Sequence, residues 1–185
     1  MRKTLIFRVH DLWKIIHMLH ELMGRYEDNT LEEFGLTKEQ YSILWIIETT
    51  NEGNNSLILS DIATKLLRKI SSTSTIVNRM EKNGLIKKFR DLPDQREIRI
   101  EITPKGKEVL KKSIKPHMTL MLNTFSIYSV EEINTILSLL ERLRKKMKAE
   151  GYLDIKKLDR KTLNRINQLF KGDYMPNKYH NRDPK

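Results

Sequence analysis

Apolar residues recur through the first two dozen positions at alternating steps of four and three, as Leu5, Val9, Leu12, Ile16, Leu19 and Met23. Such spacing is the seam of a helix that lies along another helix. Gly35 then marks a turn, and Thr37 with Gln40 forms a capping box for a second helix whose apolar positions are Tyr41, Leu44, Trp45 and Ile47. Residues 51–56 read as a loop, after which Ser60 is expected to cap a short helix running from Asp61 to Leu67. A further helix is expected over 71–82, with Thr73, Ile76, Val77 and Met80 on one face and Asn83-Gly84 as its C-terminal stop.

The period changes from helical to two-residue at Leu85. Residues 85–90 and 97–102 read as two strands joined by a polar loop, and in the second Ile98, Ile100 and Ile102 alternate with Glu97, Arg99 and Glu101. Thr103-Pro104 supplies an N-cap and a first-turn proline for a helix carrying Val109, Leu110, Ile114, Met118, Met121 and Phe125, with Pro116 a candidate kink. Ser129 and Glu132 make another capping box, ahead of the stripe Ile133, Ile136, Leu137, Leu140, Leu143 and Met147. The expected fold class is mainly α with a small β-hairpin wing. It divides into an N-terminal dimerisation helix (1–36), a winged helix-turn-helix lobe (37–104), C-terminal dimerisation helices (105–150) and a basic extension (151–185). The first helix and the stripe centred on Ile133, Leu137 and Leu140 hold more apolar surface than one small lobe can cover, which points to a homodimer.

Charge adds a partner to this outline. The 185 residues carry a formal net charge of +11, unevenly placed. Residues 1–64 hold six Lys/Arg against ten Asp/Glu, a balance of −4, whereas residues 65–115 hold fifteen against six, a balance of +9. The positive field therefore coincides with the short helix, turn, helix and hairpin, the arrangement in which a second helix enters the major groove of double-stranded DNA. Its outward face would present Ser71, Ser72, Ser74, Thr75, Asn78 and Arg79, types that reach phosphates and base edges. The hairpin adds Lys87, Lys88, Arg90, Asp94 and Arg96. Arg96 is the candidate for insertion into a narrow minor groove, with Asp94 steadying its guanidinium. Any one of these residues alone would suit an ordinary solvated surface; their convergence favours DNA. The alternative is a winged helix that docks on protein within a larger assembly, although such a face would display aromatic or aliphatic anchors.

The motifs along this stretch resemble those of the MarR family of winged helix-turn-helix transcriptional regulators. The resemblance rests on Leu36-Thr-Lys-Glu-Gln, Leu59-Ser-Asp-Ile-Ala-Thr-Lys-Leu, Met80-Glu-Lys-Asn-Gly-Leu-Ile, Asp94-Gln-Arg and Ile102-Thr-Pro-Lys-Gly-Lys-Glu, in family order, and spans roughly residues 5–148. It implies a homodimer joined by its terminal helices, a pseudo-palindromic operator, repression as the default outcome, and a small effector in a cleft beside the dimer region. Two positions depart from the family pattern: Leu67-Arg-Lys-Ile stands where a glycine is frequent, and Phe89 where a basic wing residue is frequent.

Candidate effector contacts lie beside the seam of the first helix, where Ile6, His10, Trp13, His17 and His20 form a second stripe. Trp13 offers a stacking surface and His17 and His20 hydrogen bonds; no accompanying carboxylate or cysteine cluster marks a metal site, so no metal or cofactor is expected. The absence of cysteine excludes disulfides and thiol-based sensing. The glycines form no phosphate-cradling loop and no metalloprotease or nucleophile-elbow motif occurs, which argues against an enzyme. Arg8, His10 and Asp11 interrupt the first apolar run too early for a signal peptide, so a cytoplasmic protein with no membrane association is expected.

Overall fold

The computed structural model describes residues 2–50, 56–94 and 97–150. The elements follow in the order α1 (Arg2–Glu32), α2 (Lys38–Thr50), β1 (Ser56–Ile58), α3 (Leu59–Lys65), α4 (Ile70–Lys82), β2 (Ile86–Phe89), β3 (Arg99–Ile102), α5 (Pro104–Phe125) and α6 (Val130–Ala149). The architecture is the expected winged helix-turn-helix between long terminal helices. The basic extension from residue 151 lies outside the described residues, as do Gln95 and Arg96.

Three helix starts are built by the local chemistry that the sequence announces. Thr37 Oγ1 accepts from the Gln40 N–H at 3.3 Å while Gln40 Oε1 accepts from the Thr37 N–H at 3.1 Å, and Ser129 and Glu132 repeat this reciprocal cap. Thr103 Oγ1 caps α5 by accepting from the Gly106 N–H at 3.0 Å, with Pro104 in the first turn. Beyond it α5 continues through Pro116 to Phe125 as one helix.

Two other starts differ from expectation. Ser60 lies inside α3, whose N-cap is Ile58 with no side-chain cap, and α4 begins at Ile70, with Lys69 at its N-cap. The reason for the first lies in a strand that composition conceals. Ser56–Ile58 pairs antiparallel with β3, giving the sheet order β1-β3-β2, and the Leu59 N–H donates to the Ile98 carbonyl at 2.9 Å. The sheet thus satisfies a donor at the entry of α3 that a side chain would otherwise have to cap.

The core sits where α2, α3 and α4 meet the sheet. Ile43, Leu44, Ile47, Ile62, Val77, Met80, Ile86 and Ile100 are all fully or almost fully buried in it, joined by Leu31 from the end of α1. The alternation in β3 is observed directly: Ile100 and Ile102 are buried, Arg99 and Glu101 half-buried. By contrast the chain covers little of its terminal helices. Leu5, Val9, Leu12 and Leu19 are 50–62% exposed, and α6 has no buried residue, with Leu137 at 59% and Leu140 at 49%. No helix among the described residues is long and apolar enough to cross a membrane.

Candidate nucleic-acid interface

The recognition face is set by which side of α4 the core takes. Thr73, Val77 and Met80 are buried and Ile76 half-buried, so the opposite side carries Ser71, Ser72, Thr75, Asn78 and Arg79 as exposed residues, with Ser74 half-buried. Thr75 turns its hydroxyl back to the Ser71 carbonyl at 3.2 Å. The turn that delivers α4 ends α3 with Leu66 and places Leu67 at φ 57, the left-handed region. A glycine would adopt this conformation freely, and a leucine holds it at a cost of about 1–2 kcal/mol. The turn is anchored from behind: the Arg68 N–H donates to the Ala63 carbonyl at 3.0 Å and its guanidinium reaches Glu39 Oε1 at 2.8 Å.

The wing lies beside this face. Lys87, Arg90 and Asp94 are exposed and Lys88 is half-buried, because successive strand residues point to opposite faces and the face of Lys88 turns to α4. Lys88 donates from its ammonium to Asn78 Oδ1 at 2.7 Å and pairs with Glu81 Oε2 at 2.8 Å. Arg96 lies outside the described residues, so its pairing with Asp94 rests on sequence alone.

Sequence reading missed a guanidinium clamp at the base of the wing. Arg99 donates through Nε to Asp91 Oδ1 at 3.0 Å, pairs again with Asp91 and with Glu101, and lies 4.5 Å above the centre of the Phe89 ring. The hydrogen bond from Arg99 holds the Asp91 carboxyl below its ordinary value and the same bond raises the guanidinium. Phe89 therefore has a task despite replacing a basic residue: it is the platform for a cross-strand arginine, the pair Phe89 and Arg99 standing directly opposite in the ladder.

A second feature lies behind the turn. A cavity of about 550 Å³ opens between α1, α2, α5 and the α3–α4 turn, bordered by Glu27, Tyr41, Trp45, Leu67, His117 and Met121. Its walls are aromatic: Tyr41 stacks on Trp45 with centroids 6.1 Å apart and tilts against His117 at 4.4 Å. Burial, with the charge of Glu27 adding to it, pushes the Tyr41 hydroxyl well above its ordinary pKa. His117 is 8% exposed; its Nε2 lies 3.5 Å from Glu27 Oε1, and its Nδ1 is buried without a hydrogen-bond partner among the described residues. Trp13, His17 and His20 do not border this cavity. They stand exposed on the projecting part of α1, where Trp13 and His17 have ring centroids 4.9 Å apart, and His17 precedes Glu27 by about 15 Å of helix. No group of three or more potential metal ligands occurs among the described residues.

Comparison with known proteins places this geometry. Residues 36–98 match the model of the MarR family. The chain is 23% identical over 141 residues to the uncharacterized HTH-type transcriptional regulator YsmB of Bacillus subtilis strain 168, covering 76% of this chain and 93% of that protein. Among solved structures, an E. coli MarR mutant complexed with operator DNA superposes with a TM-score of 0.67 at 16% identity, over 74% of this chain and 95% of the other. The organohalide-sensing regulator RdhR in its 2,4-dichlorophenol bound form gives a TM-score of 0.66 at 24% identity, over 74% and 79% of the two chains.

Proposed function

The chain is a DNA-binding helix-turn-helix transcriptional regulator of the MarR family rather than an enzyme, and from that premise we propose that it represses transcription as a homodimer on a pseudo-palindromic operator and is released by a small effector. The observation that carries the reading is the outer face of α4: a run of hydroxyl, amide and guanidinium groups, free of apolar anchors, flanked by a wing in the most basic segment of the chain. Such a face suits phosphates and base edges and is poorly made for protein docking. We assign Ser71, Ser72, Ser74, Thr75, Asn78 and Arg79 to the major groove and Lys87, Arg90, Asp94 and Arg96 to the wing contacts.

The test is a titration of the protein against a fluorescent duplex from upstream of its own gene and against scrambled DNA, at several salt concentrations. The expected result is tight, sequence-preferring binding that weakens with salt. Arg79→Ala and Arg96→Ala should each cost about 1–3 kcal/mol, seen as a ten-fold or larger loss on the preferred duplex. Equal, weak binding to both duplexes would sink the reading and favour protein docking.

The effector belongs, on this reading, in the cavity behind the turn. RdhR binds 2,4-dichlorophenol, and here the aromatic walls and the unpaired Nδ1 of His117 would suit a phenol whose hydroxyl donates to that nitrogen. Because Leu67 borders the cavity and the turn leads into α4, an occupant would bias the position of the recognition helix and shift the population that fits the operator. Chlorinated phenols are expected to quench Trp45 and release the operator. His117→Phe keeps the ring against Tyr41 while removing both nitrogens and should blunt that response at least ten-fold. Release that persists undiminished in His117→Phe, or that is lost instead on replacing Trp13, His17 and His20, would move the effector site to the projecting part of α1.

A further inference from the structure

The polar tie between the wing and the recognition helix decides what one of the reading residues can read. The Lys88 ammonium donates to Asn78 Oδ1 at 2.7 Å and pairs with Glu81 Oε2 at 2.8 Å, while the other Glu81 oxygen accepts the Lys88 backbone N–H at 3.2 Å. Glu81 thus holds both ends of one residue of β2, and through it the strand is fastened to the side of α4 that carries Asn78 and Glu81 one turn apart.

An ammonium only donates, so it admits only the carbonyl oxygen of the Asn78 amide as its partner. A freely turning asparagine reads adenine with both its atoms, the oxygen accepting from N6 and the nitrogen donating to N7. With the oxygen engaged, the Nδ2 donors are what Asn78 has left to offer, and Asn78 stands exposed in the middle of the outer face. Glu81 also neutralises Lys88, which leaves this lysine a poor counter-ion for phosphate.

We propose that Lys88 is a positioning residue which fixes Asn78 as a donor-only reader, so that the operator presents an acceptor edge, guanine O6 and N7 or thymine O4, at the base Asn78 meets. The inference rests on the reading of α4 as the helix that enters the major groove. Cytosine, whose N4 offers only a donor there, is excluded at that base, and adenine loses the two-point match that would favour it. Lys88 then governs sequence choice at one base pair without touching DNA.

The experiment uses the full-length protein and a panel of duplexes in which each operator base pair is replaced singly, measured at two salt concentrations. Asn78→Ala, Lys88→Met, the two combined, and Lys88→Arg are compared with the unaltered chain, and melting curves establish that each is folded. The expected result is a preference of about ten-fold for guanine or thymine over cytosine at one position in the unaltered protein. Asn78→Ala and Lys88→Met should each flatten that same position, the combination should do no more than either alone, and Lys88→Arg, which keeps a donor, should retain most of the preference. A Lys88→Met protein that binds every duplex more weakly while keeping the base preference, with a shallower salt slope, would overturn the proposal and make Lys88 a phosphate contact. Flattening spread evenly over many positions would overturn it in favour of a purely structural tie. If the unaltered protein prefers no sequence at all, the reading of α4 itself fails and takes the proposal with it.

Discussion

Gly106→Ala is expected to lower the melting temperature by on the order of 10 °C, the largest effect of any single methyl added to this chain. A Cβ at Gly106 would lie 2.1 Å from the Leu85 carbonyl oxygen and 2.9 Å from Ile102 Cγ1. Neither neighbour can yield cheaply. The Leu85 carbonyl accepts from the Thr103 N–H at 3.0 Å, and the Thr103 hydroxyl that caps α5 lies 2.7 Å from the Gly84 carbonyl, so the first turn of α5 and the entry to β2 are one hydrogen-bonded knot. Relief of the overlap means parting helix from wing, at about 3 kcal/mol or more in lost packing and hydrogen bonds. Gly35→Ala is the fitting control: its φ is 67, yet nothing lies within 4 Å of the added carbon, so only the conformational term of about 1 kcal/mol applies. Calorimetry of both variants at one fixed protein concentration checks the ordering. A Gly106→Ala protein that melts with the unaltered chain would mean that α5 does not dock on the wing as described.

That knot was legible in the sequence as a run of local signals, Thr103-Pro-Lys-Gly, because capping chemistry acts within four residues. The same is true of Thr37 with Gln40 and of Ser129 with Glu132, whose reciprocal bonds appear as expected. What could not be read is what distant chain supplies. Ser60 looks like a cap, but its task passes to a backbone carbonyl forty residues on, Ile98, through a strand of only three residues. Such a strand is too short to show a period of its own. The wing shows the same division: the alternation of Ile98, Ile100 and Ile102 announces β3, while the partnership of Arg99 with Asp91 and Phe89 needs the cross-strand register, which the loop between them conceals. Sequence reading picked Asp94 to hold an arginine; the structure gives a carboxylate that role three residues earlier, on a different guanidinium. The cavity was hidden for the same reason. Tyr41 and Trp45 read as core positions of α2, and only the fold brings His117 from α5 and Glu27 from α1 against them.

Replacing Leu12 and Leu19 together by glutamate is expected to convert the protein from dimer to monomer and to abolish its advantage for the operator over scrambled DNA. Both side chains are half or more exposed within one chain, 58% and 50%, on a part of α1 whose described side chains the chain's own lobe leaves open. The groove between α5 and α6, about 340 Å³ and lined by Met118, Leu122, Phe125, Ile133, Leu137 and Leu140, is a matching apolar surface. If a second copy covers these faces, two substitutions alter four interface positions. At about 2 kcal/mol for each buried leucine lost, the interface forfeits roughly 8 kcal/mol, close to six decades in dissociation constant. The DNA consequence follows from geometry. Paired recognition helices reach two half-sites about one helical turn apart, and a single lobe keeps its phosphate contacts but loses the second, effectively intramolecular, binding event. Affinity for the operator should therefore fall by 10²-fold or more while binding to scrambled DNA changes far less. Sedimentation velocity and the duplex titration, run on the same samples, read both effects. A dimer that survives the two glutamates would show that the projecting part of α1 is not the seam, and a monomeric unaltered protein that still prefers its operator would remove the dimer from the mechanism.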